Sequence, residues 1–547
     1  MRSSWQTGAG LSAVLLGVLL SAPAHGQSVI PKVSCESLAK LTLPDTTVTM
    51  AQVVQSGEFQ EPPRANGQGR GGRGPGGPGG GRGRAGGGGM GNFNPPVDPK
   101  SMPDFCRIAA TLRPTSDSEI RIEVWLPVSK WNGKFMGIGS GGMAGNIGYT
   151  GVPTGLEDAV SRGYAAATTD AGHDSTKESI DGIFLLNHPE KMIDFSYRAN
   201  HLMTVEGKAF LTAYYGAGPS KSYFMGCSLG SLQAMNEVKR YPEDYDGVVS
   251  GAPMTSIGDF NAAQLWPSVL IARDPSKFIP PAKYQMIHEA VLNTCGTELD
   301  RKQGFLEDAE SCHFDPGSLL CKGGDQPDCL TAPQAELLRQ IYAGPVNPRT
   351  GKSIFLGPAP GAERELTNLS GSTAHSSSLA LYRYEIEKNA DWDWKKMDFD
   401  KDVALADKVL GPLMYVPPSS VTPFLNRGGK LLLYIGWEDY HNPRETAAYY
   451  KEVVQNAGPA KKDSIRLFEV PGMGHCVGGD GCDAFDKAAA IDQWVETGKA
   501  PDQLFSAKLG TDGKTIMSRP LCAYPKVAKY KGAGSMDDAE NFVCATN

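Results

Sequence analysis

The chain has 547 residues, of which 40% are hydrophobic, so it is long enough for two to four domains with a sizeable buried core. Its 53 basic and 60 acidic residues give a formal net charge of −7 at pH 7. This mildly acidic balance argues against a nucleic acid or an anionic membrane as a partner of the whole chain.

The chain begins with a segment typical of a secretory signal peptide, residues 1–26. Arg2 supplies a positive charge, LSAVLLGVLL at residues 11–20 supplies an apolar core, and small residues follow for cleavage. A buried N-terminal helix is the alternative. No later segment reaches the roughly 18 apolar residues of a membrane-spanning helix. We therefore expect an exported protein, periplasmic or secreted, with no membrane span.

Residues 64–91 consist almost entirely of Gly, Arg and Pro. This composition has too little apolar surface to offset the entropy of ordering, so we predict a disordered insertion between Cys35 and Cys106. Binding to RNA or to an anionic surface outside the cytoplasm are the alternatives.

The chain contains eleven cysteines, which agrees with an oxidising compartment. Sequence alone does not fix their connectivity, but short spacings favour local pairs, and we expect Cys482 to be free. A zinc site is the alternative, although the chain lacks a C-x-x-C pair. The expected pairs are Cys35–Cys106, Cys295–Cys312, Cys321–Cys329 and Cys522–Cys544.

From residue 120 onward, strand-like and helix-like segments alternate, which predicts an α/β layer architecture. Residues 120–126 alternate apolar and polar side chains, as a half-buried strand does. Residues 430–435 (KLLLYI) are nearly all apolar, as in a strand covered by helices on both faces. Apolar residues recur at helical spacing from Leu229 to Val238. The other predicted strands are 134–138, 164–169, 222–225, 246–250 and 464–470.

Residues 256–419 differ from their surroundings. They carry many prolines, two of the expected local disulfides and few strand-like runs, with helix-like pieces at 281–293 and 332–342. We interpret this stretch as a lid domain inserted between the two parts of a catalytic domain, residues 27–255 and 420–547.

The segment Gly226-Cys227-Ser228-Leu229-Gly230 matches G-x-S-x-G, the sequence of a nucleophile elbow. This turn joins a strand to a helix and projects the serine hydroxyl above the sheet, and both flanking elements are predicted here. Ser228 is therefore the candidate nucleophile, and it needs an adjacent base to react at neutral pH. An ordinary turn is the alternative.

In an α/β-hydrolase the acid and then the histidine follow the serine along the chain. His475 lies in a glycine-rich loop after the last predicted strand. Glu438 and Asp439 follow the strand before it, and we choose Asp439 as the acid. A structural histidine and a solvated turn acid are the alternatives, and we interpret His441 as a loop residue.

An oxyanion hole needs two N–H donors. Leu229 N–H is one candidate because it directly follows the nucleophile. The second is expected in GSGGMAG at residues 139–145, from Gly141 or Gly142. A nucleotide-binding glycine loop is the alternative, but the residues beyond Gly139 do not match one.

A cysteine precedes Ser228 and another follows His475, so a Cys227–Cys476 bond would tie the two turns together. With these motifs the chain resembles the tannase and feruloyl esterase family, which includes mono(2-hydroxyethyl) terephthalate hydrolase. The matches cover most of residues 103–544 and include MPDFCRIAATLRP at 103–115, EVWLPVSKWNGKFMGIGSGGMAG at 123–145, TTDAGH at 168–173, HPEKMIDFSYRANHLMT at 188–204, GCSLG, RYPEDYDGVVSGAP at 240–253, GWED, PGMGHCVGG at 471–479 and RPLCAYPKVAKYKG at 519–532.

The resemblance implies an α/β-hydrolase fold with a large inserted lid domain and several disulfides. It also implies the triad Ser228–Asp439–His475, the Cys227–Cys476 bridge and a lid that binds the aromatic part of an ester.

Two departures from the family pattern concern cofactor and substrate. The family's lid loop usually binds structural calcium through aspartates, and calcium prefers six to eight oxygens. Here those positions hold Gly296, Leu299 and Gln303. The acids that remain stand at a different spacing: Asp300, Glu307 and Asp308. We therefore predict weak or no calcium binding and no required cofactor.

At the elbow, Leu229 and Ser231 replace the small or polar residue and the glycine common there, which predicts an altered substrate preference.

These features predict a secreted serine carboxylic-ester hydrolase that acts on small esters of aromatic acids, such as feruloyl or galloyl esters, through an acyl-enzyme. The alternatives are a hydrolase of lactones or amides and a non-catalytic binding protein on the same fold.

Overall fold

The computed structural model describes residues 30–62, 97–176 and 182–546. The expected signal peptide, residues 1–26, and the Gly/Arg-rich segment, residues 64–91, lie outside the described residues. No helix in the described ranges is long and apolar enough to cross a membrane.

A nine-stranded mixed sheet forms the centre of the protein, in the order β1-β2-β3-β5-β4-β6-β7-β8-β9. The first three strands pair antiparallel, and β4 to β9 run parallel to one another. Two further hairpins, β10–β11 and β12–β13, lie near the C-terminus. The strands are β1 (Thr46–Val54), β2 (Phe105–Leu112), β3 (Ile120–Pro127), β4 (Lys134–Ile138), β5 (Ala165–Thr169), β6 (Lys221–Cys227), β7 (Gly247–Gly251), β8 (Lys430–Gly436), β9 (Ile465–Val470), β10 (Gln503–Leu509), β11 (Thr515–Cys522), β12 (Val527–Tyr530) and β13 (Phe542–Ala545).

Helices cover both faces of the parallel strands, and this explains why those strands are almost continuously apolar. The helices are α1 (Leu156–Ser161), α2 (Pro189–Ile193), α3 (Ala199–Tyr215), α4 (Leu229–Arg240), α5 (Ile257–Arg273), α6 (Pro281–Cys295), α7 (Glu298–Gln303), α8 (Ala332–Ala343), α9 (Glu363–Leu366), α10 (Ser376–Ala380), α11 (Lys401–Met414), α12 (Thr422–Asn426), α13 (Pro443–Ala457) and α14 (Lys487–Thr497).

Successive side chains of a strand point to opposite faces of the sheet, so the sheet divides the core into two layers. On β8, Leu431 and Leu433 belong to the apolar layer that includes Phe210 of α3. Leu432 and Tyr434 belong to the other layer, which includes Trp494 of α14. Alternate residues of one strand therefore pack into two separate apolar layers, one on each face of the sheet.

The strands predicted from sequence are present with ends that shift by at most two residues. The prediction for residues 222–225, for example, becomes β6, Lys221–Cys227, which extends to the residue before Ser228. β1, β2 and the two C-terminal hairpins were not predicted. The predicted helices at 281–293 and 332–342 correspond to α6 and α8.

The segment from 256 to 419 connects β7 to β8 and contains α5 to α11 but none of the thirteen strands of the described chain. A separate apolar cluster that includes Ile287, Leu338 and Trp437 lies within and beneath it. The α/β-hydrolase fold expected from the sequence is present. The division into a catalytic domain and a lid domain stays a prediction.

Five disulfides link the ten cysteines that were expected to pair, with the expected connectivity. Cys482 is free and buried. The bond between Cys227 and Cys476 spans 249 positions of sequence, which is by far the longest separation of the five.

Candidate active site

Ser228 occupies the sharp turn between β6 and α4. Its backbone has φ 60° and ψ −124°, a region that residues with a side chain rarely adopt and that stores strain at functional turns. Gly226 permits this turn because a Cβ atom there would collide with the carbonyl of Gly230. The Ser228 N–H donates to Gly251 O on the neighbouring strand (3.0 Å). The turn therefore has the geometry of a nucleophile elbow.

The hydroxyl of Ser231 braces this turn from the first turn of α4. It donates to the carbonyl oxygen of Ser228 (2.5 Å), with Ala252 O at 3.1 Å as a second acceptor, and accepts from the backbone N–H of Met254 (3.2 Å). The serine that departs from the family glycine thus connects the elbow to the end of β7.

Asp439 and His475 form a hydrogen-bonded pair at the ends of β8 and β9. The distance from His475 Nδ1 to Asp439 Oδ1 is 2.9 Å, and the Asp439 side chain is fully buried. The backbone N–H of His441 donates to the same oxygen (2.8 Å). Burial alone would raise the pKa of Asp439, but the charges and hydrogen bonds of His475 and His441 outweigh it and lower the pKa. The ionised carboxylate therefore accepts a hydrogen bond from the Nδ1–H of His475, and this tautomer has its lone pair on Nε2.

The Cys227–Cys476 disulfide joins the two halves of the site, with Cα atoms 6.1 Å apart. Ser228 and His475 are each one residue from it. Among the described residues the Ser228 hydroxyl has no hydrogen-bond partner, and His475 Nε2 has a contact with the Cys476 sulfur at 3.8 Å. Hydrogen bonds between nucleophile and base are often long without substrate and shorten in the complex.

Glu438, the alternative acid, points to a different partner. Arg364 of α9 binds both of its carboxylate oxygens (2.9 and 3.0 Å) and also Asp480 Oδ2 (2.5 Å). Burial raises the pKa of Glu438 to about 7, against the opposing charge of Arg364. The structure thus brings Asp439 rather than Glu438 to His475, and Glu438 attaches the inserted segment to the acid's loop.

The two expected oxyanion donors lie on two backbone segments that contact each other, the start of α4 and the loop after β4. Leu229 is the first residue of α4, where an N–H has no intrahelical acceptor. The loop after β4 packs on the elbow, since a Cβ at Gly139 would lie 2.8 Å from Gly230 Cα. Gly141 and Gly142 are exposed, and in the described part of the chain neither N–H has a protein acceptor. Both remain available as the second donor.

Sequence reasoning missed the aromatic surroundings of His475. The rings of His441 and Tyr440 lie 4.2 and 4.7 Å from it, between ring centres. His441 is buried, and burial with the charge of His475 lowers its pKa to about 3. His375, from the inserted segment, has a pKa lowered to about 4 for the same two reasons. The only signal in the sequence was that His441 stands two residues after the acid.

The loop between Cys295 and Cys312 does not fit the family calcium site. The Asp300 carboxylate caps α7 by accepting from Thr297 and also accepts from the Glu307 N–H (2.9 Å). Glu307 accepts from Arg519 Nε (2.9 Å), and the same guanidinium donates to Gln303 Oε1 (2.8 Å). A buried guanidinium on these oxygens disfavours a second cation there.

The order of the sheet and the sharp strand-to-helix turn at Ser228 define an α/β-hydrolase. The family model "Tannase and feruloyl esterase" matches residues 106–545. The chain therefore belongs to the tannase and feruloyl esterase family and is a carboxylic ester hydrolase.

Relatives and solved structures agree with this assignment. An uncharacterized esterase of Xanthomonas campestris pv. campestris is 33% identical over 97% of this chain and 94% of its own length. A probable feruloyl esterase B-2 of Neosartorya fischeri is 30% identical over 81% and 86%. The crystal structure of feruloyl esterase B from Aspergillus oryzae superposes with a TM-score of 0.80 at 27% identity, covering 93% of this chain and 99% of that one. A tannin acyl hydrolase from Aspergillus niger, at 19% identity and TM-score 0.71 over 92% of each chain, shares the fold.

Proposed function

We propose that this protein hydrolyses esters of aromatic acids through a covalent acyl-enzyme formed on Ser228. The observation that carries the proposal is the hydrogen bond between His475 and the buried Asp439, in a loop that a disulfide attaches to the strained elbow bearing Ser228. An acid, an imidazole and a hydroxyl in this chain order are the parts that acyl transfer needs.

In the first step, His475 Nε2 removes the proton of Ser228 Oγ as that oxygen attacks the ester carbonyl. Leu229 N–H and an N–H of Gly141 or Gly142 stabilise the oxyanion, and one such donor is worth about 3 kcal/mol. The imidazolium then protonates the leaving alcohol, and an ester bond to Ser228 remains. In the second step, His475 activates water, which releases the acid and restores the serine.

The substrate class rests on the family and on the names of the relatives. Feruloyl esterase and tannin acyl hydrolase are names of enzymes that act on aromatic esters. The rings of Tyr440 and His441 beside His475 also suit an aromatic group.

A panel of methyl ferulate, methyl gallate and mono(2-hydroxyethyl) terephthalate, assayed by product release, tests the proposal. We expect Ser228→Ala to lower kcat by several orders of magnitude. Ser220→Ala is the matched control, because that exposed serine precedes the same strand at its opposite end. Unchanged turnover in Ser228→Ala would refute the mechanism, and a wild-type chain that releases product from none of these three esters would refute the substrate class.

We further propose that the protein is exported and needs no calcium. Export is supported by the sequence of residues 1–26 and by five disulfides, which persist in oxidising compartments. Treatment with EGTA should change neither the melting temperature nor kcat, because Arg519 and Gln303 already occupy the acidic loop. Elemental analysis that finds one tightly held calcium per chain would contradict this.

A further inference from the structure

Three possible metal ligands meet beside the candidate nucleophile. One carboxylate oxygen of Asp439 and one ring nitrogen from each of His441 and His475 lie within 4.8 Å of one another. Two of these residues form the proposed acid–base pair. His441 has no part in the proposed chemistry, so its presence in the group calls for a separate explanation.

One of the two carboxylate oxygens of Asp439 takes part in no hydrogen bond within the described chain. Both hydrogen bonds to its carboxylate, from His475 Nδ1 and from the His441 N–H, end on Oδ1. Oδ2 is buried and has no hydrogen-bond partner in the described chain. A buried oxygen without a partner is costly, and a cation would satisfy it.

His441 is held as metal-binding histidines usually are. Its Nδ1 lies 3.1 Å from the carbonyl oxygen of Ala252, which only accepts hydrogen bonds, so Nδ1 carries the proton. Nε2 therefore carries a lone pair. A hydrogen bond from one ring nitrogen to a backbone carbonyl is the usual means by which a protein fixes the tautomer and orientation of a ligating histidine.

Two imidazoles and one carboxylate are a ligand set that suits Zn²⁺, which completes its tetrahedral shell with water. Mg²⁺ and Ca²⁺ prefer sets made of oxygens alone. Two ligands that are each about 2 Å from a tetrahedral zinc ion lie about 3.3 Å apart, so His475 Nδ1 and Asp439 Oδ1, at 2.9 Å, would have to separate by only about 0.4 Å to bind one ion.

We propose that Asp439, His441 and His475 form a reversible Zn²⁺ site that inhibits the enzyme. The ion binds Nδ1 of the neutral tautomer that carries its proton on Nε2, so the proton of His475 moves from Nδ1 to Nε2 and Nε2 loses the lone pair that would accept the serine proton. A zinc-bound imidazole cannot become the imidazolium that the acyl-transfer step requires, so bound enzyme is inactive while substrate still binds. The inhibition, though not the binding, rests on the proposed function.

Calorimetric titration of the Ser228→Ala chain with ZnCl₂ tests binding without any need for activity. We expect one Zn²⁺ per chain that is lost, or bound at least about tenfold more weakly, when His441→Asn is added. The asparagine side chain keeps an N–H that can donate to the Ala252 carbonyl, but it lacks the Nε2 lone pair that would bind Zn²⁺. Should His441→Asn fail to fold, His441→Gln serves instead, judged by the same titration.

Inhibition is measured in the chain with Ser228 intact, each variant being compared with its own rate without metal. Zn²⁺ should lower kcat with little change in KM, EDTA should restore the rate, and Mg²⁺ should have no effect. The His441→Asn chain should need at least about ten times more Zn²⁺. His201→Asn is the control, because His201 belongs to the other His/carboxylate group of the described chain, with Glu237 and Asp244.

Binding and inhibition that are unchanged in both His441 variants would overturn the proposal, as would inhibition lost equally in His201→Asn. A wild-type chain without esterase activity would refute the proposed function, while calorimetry would still decide the Zn²⁺ site.

Discussion

At the scale of single residues, the site depends on how two adjacent acids are used. Asp439 accepts from His475, while Glu438 binds Arg364 of the inserted segment. The two side chains differ by one methylene, and the sequence could only favour one of them. Their successive backbone positions after β8 direct the two side chains to different partners, His475 for Asp439 and Arg364 for Glu438.

We expect Asp439→Asn to lower kcat by about three to four orders of magnitude, because an amide neither holds the required tautomer nor stabilises the imidazolium. Glu438→Gln is the matched control and should keep kcat within about tenfold, since the removed charge does not contact His475. Steady-state kinetics on one aromatic ester checks both. A larger loss in Glu438→Gln would reverse the assignment of the acid.

At the scale of elements, the parallel strands bring distant segments of sequence to one edge of the sheet. Ser228 follows β6, Asp439 follows β8, His475 follows β9 and the glycine loop follows β4. The carboxyl ends of parallel strands share one edge of the sheet, where β4 lies beside β6 and β8 lies beside β9, so all four loops project from the same side. The disulfide at Cys227 then fixes two of these loops covalently.

Removal of this bond with Cys227→Ala and Cys476→Ala together should lower kcat more than it raises KM, because the loop of His475 loses its attachment to the elbow. Loss of a native disulfide typically costs about 2–5 kcal/mol of stability. The control is Cys321→Ala with Cys329→Ala, which removes a local bond in the inserted segment. Equal kcat in the two double variants would show that the Cys227–Cys476 bond serves stability alone.

At the scale of the whole molecule, the inserted segment and the catalytic loops are joined through Arg364. Its guanidinium contacts Glu438, next to Asp439, and Asp480, in the loop of His475. The inserted segment is therefore attached to both loops that carry the proposed acid and the proposed base.

Arg364→Ala should lower kcat and the melting temperature, because it leaves Glu438 buried without a counter-charge. The partial exposure of Arg364 reduces the cost to about 1–3 kcal/mol. Adding Glu438→Gln should recover part of both losses, since the orphaned charge is then gone. Differential scanning calorimetry and kinetics measure this cycle, and no recovery in the double variant would show that the charge is not the cause.

Much of this protein was predictable because its signals are local. The elbow, the glycine-flanked histidine and the nearly apolar strand of residues 430–435 each reveal themselves within a few residues. β1 and β2 escaped prediction, although burial alternates along β2 with the period of a strand.

The sequence by itself indicated the α/β layers, the order of Ser228, Asp439 and His475, and the three local cysteine pairs, because chain order, turn chemistry and short spacings act locally. Only the tertiary structure decided which acid reaches the histidine, where Arg364 binds, how Arg519 fills the acidic loop, and that His441 lies buried against His475. These contacts join residues from separate loops, and their geometry exists only after the strands have paired.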